Sequence, residues 1–342
     1  MGAFRTFAAG VVAALITGSA AVPALAQDFM WRLQTNLNPG DPGHVAVEER
    51  FAKLVTEMSG GRIAFEVYPV GTLFPIADGL EAVGAGVAEM GMLTGGYFAG
   101  KIGPVASIES GVPGGLRTPL ESFDFFYKKG FIDIAREAYA PYGVYYLGPQ
   151  VSPQWDIVSN KPITSVADFQ GLKIRAFGLE AKWYESMGAS PVFLSGSEIY
   201  TALATDAIDA ARWASPSANK NISLQEVAKY YVQPSPMPAP NNFFAVNEAA
   251  WNALPADLQA ILREAAMLSS LDYLTTGMKN DAKALNEMQA AGMEVTTISA
   301  EDFAKMDAAA RKLWMAYADQ GGLNAKAVNL LAEYLGELGR GE

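Results

Sequence analysis

The sequence predicts an α/β protein built as two lobes, with one long helix and further helices behind it. Three observations carry this. Strand-like and helix-like segments alternate from Phe29 onward and again over 171–213, the rhythm that builds parallel sheets. Two extended stretches, near 145–154 and over the proline-rich 233–240, read as crossings between the lobes. Helical spacing of apolar residues then runs almost unbroken from Leu258 to Met288.

Taken in order, the first residues read as an export signal rather than structure. Arg5 supplies the positive start, 7–16 a short apolar run, and Ala24-Leu25-Ala26 an A-x-A cleavage site, so the signal is 1–26 and the mature chain begins at Gln27. The apolar run is broken by Gly18 and Pro23 and is too short to span a bilayer. A strand is expected over 29–34 and a turn-rich loop over 36–43. An amphipathic helix over 45–59 keeps Val45, Phe51, Leu54, Val55 and Met58 on one side and stops at Gly60-Gly61. Residues 63–68 alternate as a half-buried strand does. A short helix over 80–86 and a buried strand over 89–93 lead into the loop Thr94-Gly95-Gly96-Tyr97.

The most informative stretch is 171–213, GLKIRAFGLEAKWYESMGASPVFLSGSEIYTALATDAIDAARW. Its first strand ends on Arg175, just before Gly178. A helix, a strand over 191–194, a helix opened by Ser195-Gly196-Ser197-Glu198 and a strand carrying Arg212 and Trp213 follow. Parallel sheets bind ligands outside the carboxyl ends of their strands. An arginine delivered there is a permanently charged, planar fork suited to a carboxylate.

Two lobes joined by more than one crossing form a hinge, as in binding proteins that close around a ligand. Pro255-Ala256-Asp257 opens the long helix, which at roughly 35 residues reaches about 50 Å and exceeds the width of a small domain. Two helices broken near Gly277 are the other reading. Helices over 302–318 and 325–338 complete the chain. The expected division is 27–150 for lobe 1, completed by about 235–256, 151–234 for lobe 2, and 257–342 for the long helix and those behind it.

Composition excludes several classes. There is no cysteine, so disulfides, thiolate metal sites and thiol nucleophiles are absent. The formal charge is -11, one unit more negative without Arg5, which argues against nucleic acid and anionic membranes as partners. The single histidine, His44, rules out a histidine-based zinc site and reads as a solvated loop residue. No phosphate-binding loop, dinucleotide fingerprint or nucleophile elbow is present, and the glycines of 111–115 lack the lysine and spacing for phosphate. No enzymatic activity and no cofactor are expected.

These segments resemble the extracytoplasmic solute receptors of TRAP transporters over essentially the whole mature chain. FAKLVTEMSGGRIAFEVYPVGTL (51–73), LEAVGAGVAEMGM (80–92) and GSEIYTALATDAIDAARW (196–213) follow the family's order and spacing, and LKIR places Arg175 where the family grips organic acids. The likeness implies one long helix lying across both lobes, a periplasmic location and a membrane permease as partner. It is greatest to the branch that binds 2-oxo acids and related carboxylates. There a glutamate before the tryptophan and a glutamine in the crossing strand hold a metal beside the ligand.

Here the glutamine falls on Gln154, but Arg212 stands at the glutamate position. A guanidinium cannot ligate a cation, so the resemblance is read with no metal, Arg212 supplying the positive charge instead. The other reading turns Arg212 outward to Asp209 or Glu180. The expected ligand-binding set is Arg175, Gln154, Arg212, Trp213, Tyr97, Phe177 and Asn242, with Trp155 as a further wall. The branch is associated with dimers that exchange a C-terminal helix, which leaves a homodimer open. The expected function is capture of a small organic acid anion for a TRAP permease. A binding protein feeding a sensor kinase or ABC permease, or a secreted α/β hydrolase, are the alternatives.

Overall fold

The computed structural model describes residues 1–2, 28–237 and 240–340. The expected cleavage site at Ala24-Leu25-Ala26, and the signal segment apart from its first two residues, lie outside them.

Two sheets organise the chain. The first holds β1 (Phe29–Thr35), β2 (Ile63–Tyr68), β3 (Met90–Leu93), β4 (Val144–Val151) and β10 (Asn241–Asn247) in the order β2-β1-β3-β10-β4. The second holds β5 (Ile157–Ser159), β6 (Lys173–Arg175), β7 (Ser190–Val192), β8 (Ala210–Arg212), β9 (Tyr230–Val232) and β11 (Glu294–Thr296) in the order β11-β9-β5-β8-β6-β7. The β1, β2 and β3 pairings are parallel, as are those of β6 with β7 and β8. β10 runs antiparallel between β3 and β4, so a strand from far later in the chain completes the first sheet. β11 was not legible in the sequence: its Glu294 and Val295 are exposed, and it is a strand because its backbone pairs with β9.

Local chemistry explains most boundaries. The loop expected over 36–43 ends early, because Asp41 caps a helix at Pro42–Ala46 by accepting from the Gly43 N–H at 2.9 Å. That helix continues through a wider turn, Val47–Ala52, into Lys53–Met58. Ser195 and Glu198 form a reciprocal capping box, Ser195 N–H donating to Glu198 Oε2 at 2.8 Å.

The long helix is continuous over Ala256–Ala290, 35 residues. Its Leu258, Leu262, Ala265 and Ala266 are buried against the first sheet, and Met288 is buried in a cluster of the second with Val158 and Tyr231. Gly277 does not break it. A Cβ there would sit 3.0 Å from Pro153 Cγ, so this glycine lets the crossing strand rest on the helix. Of the later helices, Ala300–Met315 packs on Gly178–Ser186 of the second lobe. Gly322–Glu337 packs on Pro104–Glu109 and Phe131–Tyr139 of the first. Among the described residues no helix is long and apolar enough to cross a membrane.

Candidate ligand-binding site

Arg175 ends β6 and is 1% exposed. Its Nε donates to Leu194 O at 3.1 Å and its Nη1 to Arg212 O at 3.1 Å. Those carbonyls hold the guanidinium plane fixed between the rings of Phe177 and Trp213, whose centroids lie 4.8 and 5.3 Å away. Nη2 is buried and makes no well-formed hydrogen bond among the described residues, with the Tyr97 hydroxyl near the guanidinium. Burial pulls the pKa of Arg175 down, opposed by Tyr97 and Glu180. A guanidinium stays charged through such a shift. A buried, oriented cation with donors to spare is what an anion would complete.

Arg212 ends β8 and is turned inward, not out to solvent. Its Nη1 lies 3.7 Å from Glu180 Oε2, and its guanidinium is 5.5 Å from the Trp155 ring centroid. Asp209 is engaged elsewhere, with Lys161 Nζ at 3.0 Å and the Lys173 N–H at 2.9 Å. Burial pushes the Glu180 carboxyl up, while Arg212, Arg175 and the Tyr184 hydroxyl pull it back. Asp156, fully buried, accepts from Gln233 Nε2 at 3.2 Å, and burial pushes it up to about 6. Two arginines therefore share this region with two carboxyl groups. The donor set does not suit a metal: a guanidinium occupies the position in question, and among the described residues no three His, Cys, Asp or Glu side chains gather as ligands.

Aromatic rings close the mouth. Tyr97, after β3, stacks on Phe177, after β6, with centroids 5.2 Å apart and planes 11° apart, and Phe193 meets Tyr97 edge-on at 6.4 Å. Gly96 permits this, since a Cβ there would fall 2.6 Å from Phe177 Cε2. The turn is held from below by Glu109 Oε2, which accepts from the Gly95 N–H at 3.0 Å. Thr94, Gly96, Trp155, Phe177, Glu180 and Arg212 line a cavity of about 30 Å³, a water-sized space.

Of the expected ligand-binding set only Phe177 and Arg212 line that cavity, with Trp155; Arg175, Tyr97 and Trp213 do not, and Gln154 and Asn242 lie elsewhere. Gln154 donates from Nε2 to Met237 O at 2.6 Å and lines a larger, open cavity of about 730 Å³ with Pro234, Phe303 and Asp307. The arginine there, Arg117, is paired with Asp307. Asn242 belongs to a buried amide network: Oδ1 accepts from Asn36 Nδ2 at 3.1 Å and Thr94 Oγ1 at 2.8 Å, and Nδ2 donates to Gln150 Oε1 at 3.3 Å. It shares a small cavity with Trp213 and Trp155.

His44, expected in solvent, is 5% exposed with Nδ1 2.7 Å from Thr35 Oγ1, and burial pulls its pKa down. Sequence reasoning did not select Glu180 and Asp156 as site residues. Glutamate at the third position of a helix reads as an ordinary dipole partner, and nothing local signals its burial.

Two α/β lobes meeting over buried, oriented charges, with aromatic lids between them, define a solute-binding receptor. Residues 33–320 match the model of bacterial extracellular solute-binding protein, family 7 (DctP), and the chain belongs to that family, whose members are periplasmic receptors and not enzymes. It is 31% identical over 301 residues to the monocarboxylate 2-oxoacid-binding periplasmic protein of Nostoc sp., covering 87% of this chain and 82% of that one. It is 28% identical to the C4-dicarboxylate-binding periplasmic protein DctP of Rhodobacter capsulatus, covering 87% and 89%. A TRAP periplasmic solute-binding protein of Pseudoalteromonas atlantica, solved with sodium and pyruvate bound, superposes with a TM-score of 0.80 at 27% identity, covering 91% and 95%.

Proposed function

We propose that the mature chain, cut after Ala26, is the periplasmic receptor of a TRAP transporter. It captures a small organic acid anion, a 2-oxo acid or related mono- or dicarboxylate, and delivers it to the membrane permease. The observation that carries this reading is the Arg175 guanidinium, buried and immobilised by two carbonyls, its Nη2 making no well-formed hydrogen bond among the described residues. The acid's carboxylate takes its free donors, and Arg212 meets the ligand's other oxygens. Tyr97, Phe177 and Trp213 form the walls. Gln154 and Asn242 join only by exchanging their present partners, Met237 O and Gln150 Oε1.

A cavity of about 30 Å³ admits an acid only if the lobes part. The proposed bodies are 27–150 with about 235–256 against 151–234, hinged at the two crossings. The long helix, buried at one end against each sheet, is the brace about which they move. A homodimer by helix exchange would require Gly322–Glu337 to leave its seat on its own chain.

A thermal-shift screen of the mature protein against small organic acids tests the ligand class. An acid at about 100 times its dissociation constant adds roughly 2.7 kcal/mol. No shift from any carboxylate would overturn the reading. Substrate uptake by vesicles carrying the permease, dependent on added receptor, tests delivery.

A further inference from the structure

We propose that the cleft continues past Met237 into the larger cavity beside it, so that the ligand of this receptor is an organic acid with an extended, uncharged tail. This rests on the reading that the cleft takes an organic acid, and it narrows that class.

The cavity of about 30 Å³ and the cavity of about 730 Å³ share one wall, Met237. They also follow the same loop of the first lobe. Ser110 and Gly111 line the smaller, and Gly114, Gly115 and Arg117 line the larger. Two spaces on either side of one side chain, along one loop, make a single passage with a partition in it. A water-sized space holds no organic acid. The larger one, about 730 Å³, falls within the range of small-molecule sites, roughly 300–1,000 Å³.

The partition is a side chain suited to move. The backbone of Met237 is pinned on both sides: its N–H donates to Ser235 Oγ at 3.2 Å, and its carbonyl accepts from Gln154 Nε2 at 2.6 Å. What can turn is an unbranched thioether with three rotatable bonds, the side chain that repacks most readily around apolar groups. In this structure it is 2% exposed, seated with Val232 and Met306 in an apolar cluster of the second sheet, and it fills the passage.

The walls beyond it set the chemistry of the tail. Pro234, Pro236, Ile298 and Phe303 present apolar surface. The charged residues of the lining, Arg117 and Asp307, pair with each other, so the cavity offers no unpaired charge to a second carboxylate. An alkyl tail gains there by leaving water, at about fourfold in affinity per buried methylene. A carboxylate in the cleft with an apolar chain beyond Met237 is the ligand that fits this pair of cavities.

Titration calorimetry with pyruvate and 2-oxooctanoate tests this, since the two carry the same head group and differ in the tail. The parent is expected to bind 2-oxooctanoate about 100-fold tighter than pyruvate. Ala304 is an exposed position of the helix Ala300–Met315 and lines the larger cavity but not the smaller. Ala304→Trp fills the larger space, and the preference should fall to within about threefold. Met237→Ile keeps the partition apolar but makes it stiff, because it branches at Cβ. It should cut the preference by about tenfold or more. Melting temperatures confirm that both variants are folded. A preference that survives whole in a folded Ala304→Trp places the tail elsewhere, and one that survives whole in a folded Met237→Ile means that Met237 is no gate. Each result overturns the inference. A parent that binds both acids within about threefold of each other overturns it too, while organic acid binding stands. A parent that binds neither acid, nor any other carboxylate, overturns the underlying reading as well.

Discussion

Glu180 lies 3.7 Å from Arg212 with both side chains buried. One sits on the first turn of helix Gly178–Ser186 and the other at the end of an interior strand of the second sheet. A buried ion pair is weak evidence of stabilisation, because desolvating both charges offsets their attraction. Removing one partner is costly, since the other is left buried and uncompensated. The pair is thus better understood as tuning the cleft's electrostatics than as holding the fold, and the predictions below turn on the charges around it.

Arg175→Lys keeps the charge and loses the fork. An ammonium cannot hold Leu194 O and Arg212 O while offering a further pair of parallel donors. Organic acid affinity should fall by about 1.5–3 kcal/mol, the worth of one charge-assisted contact. Calorimetry showing the lysine variant within about threefold of the parent would mean Arg175 is not the carboxylate clamp.

Binding should be insensitive to metal. With Arg212 where a cation would need a ligand, the parent should keep its affinity after exhaustive chelation and removal of sodium. Arg212→Glu places a third carboxyl beside Glu180 and near Asp156. That variant should bind an anion poorly and recover when sodium or calcium is added. Loss of parent affinity on chelation, or normal metal-free binding by the variant, would put Arg212 outside the ligand shell.

Closure should be visible in solution. Small-angle scattering is expected to give a smaller radius of gyration with ligand than without. Gly96→Ala drives a methyl into the Phe177 ring, because the new Cβ would lie 2.6 Å from Cε2. It should weaken binding and leave the liganded form more open than the parent. Identical profiles for free and saturated parent would favour a preformed site over a closing one.

Asp156 supplies a pH test. Burial raises it from the ordinary 3.8 to about 6, against the pull of Tyr231, the Ser235 backbone and Arg212. Between those values the folded state holds a proton that the unfolded state has released. The stabilisation is therefore complete below about pH 4 and is lost as pH rises through about 6. The full swing is on the order of 2–3 kcal/mol. Asp156→Asn abolishes it, so the variant should gain on the parent in melting temperature between about pH 4.5 and about pH 7.5. Parallel melting profiles would show that this carboxyl is not buried as an acid.

Much of the fold was legible because its signals are local. Pro255 ahead of Ala256, the Ser195–Glu198 box and the apolar run of β3 each state their own conformation within a few residues. The sequence alone also put Arg175 at a strand end and Arg212 beside Trp213. The site's pairings were not legible. Tyr97 meets Phe177 across 80 positions, Arg212 meets Glu180 across 32, and Gln154 is held by Met237 O across 83. His44 is buried because the helix that Asp41 caps carries it against Thr35. Periodicity determines which face of an element is apolar, and so the sequence determined the alternating strands and helices, the helical stretch after Pro255 and the arginine at the end of β6. Which partner each polar side chain meets depends on how separate elements pack, and long-range packing alone decided that Arg212 would turn inward and share its charge with Glu180.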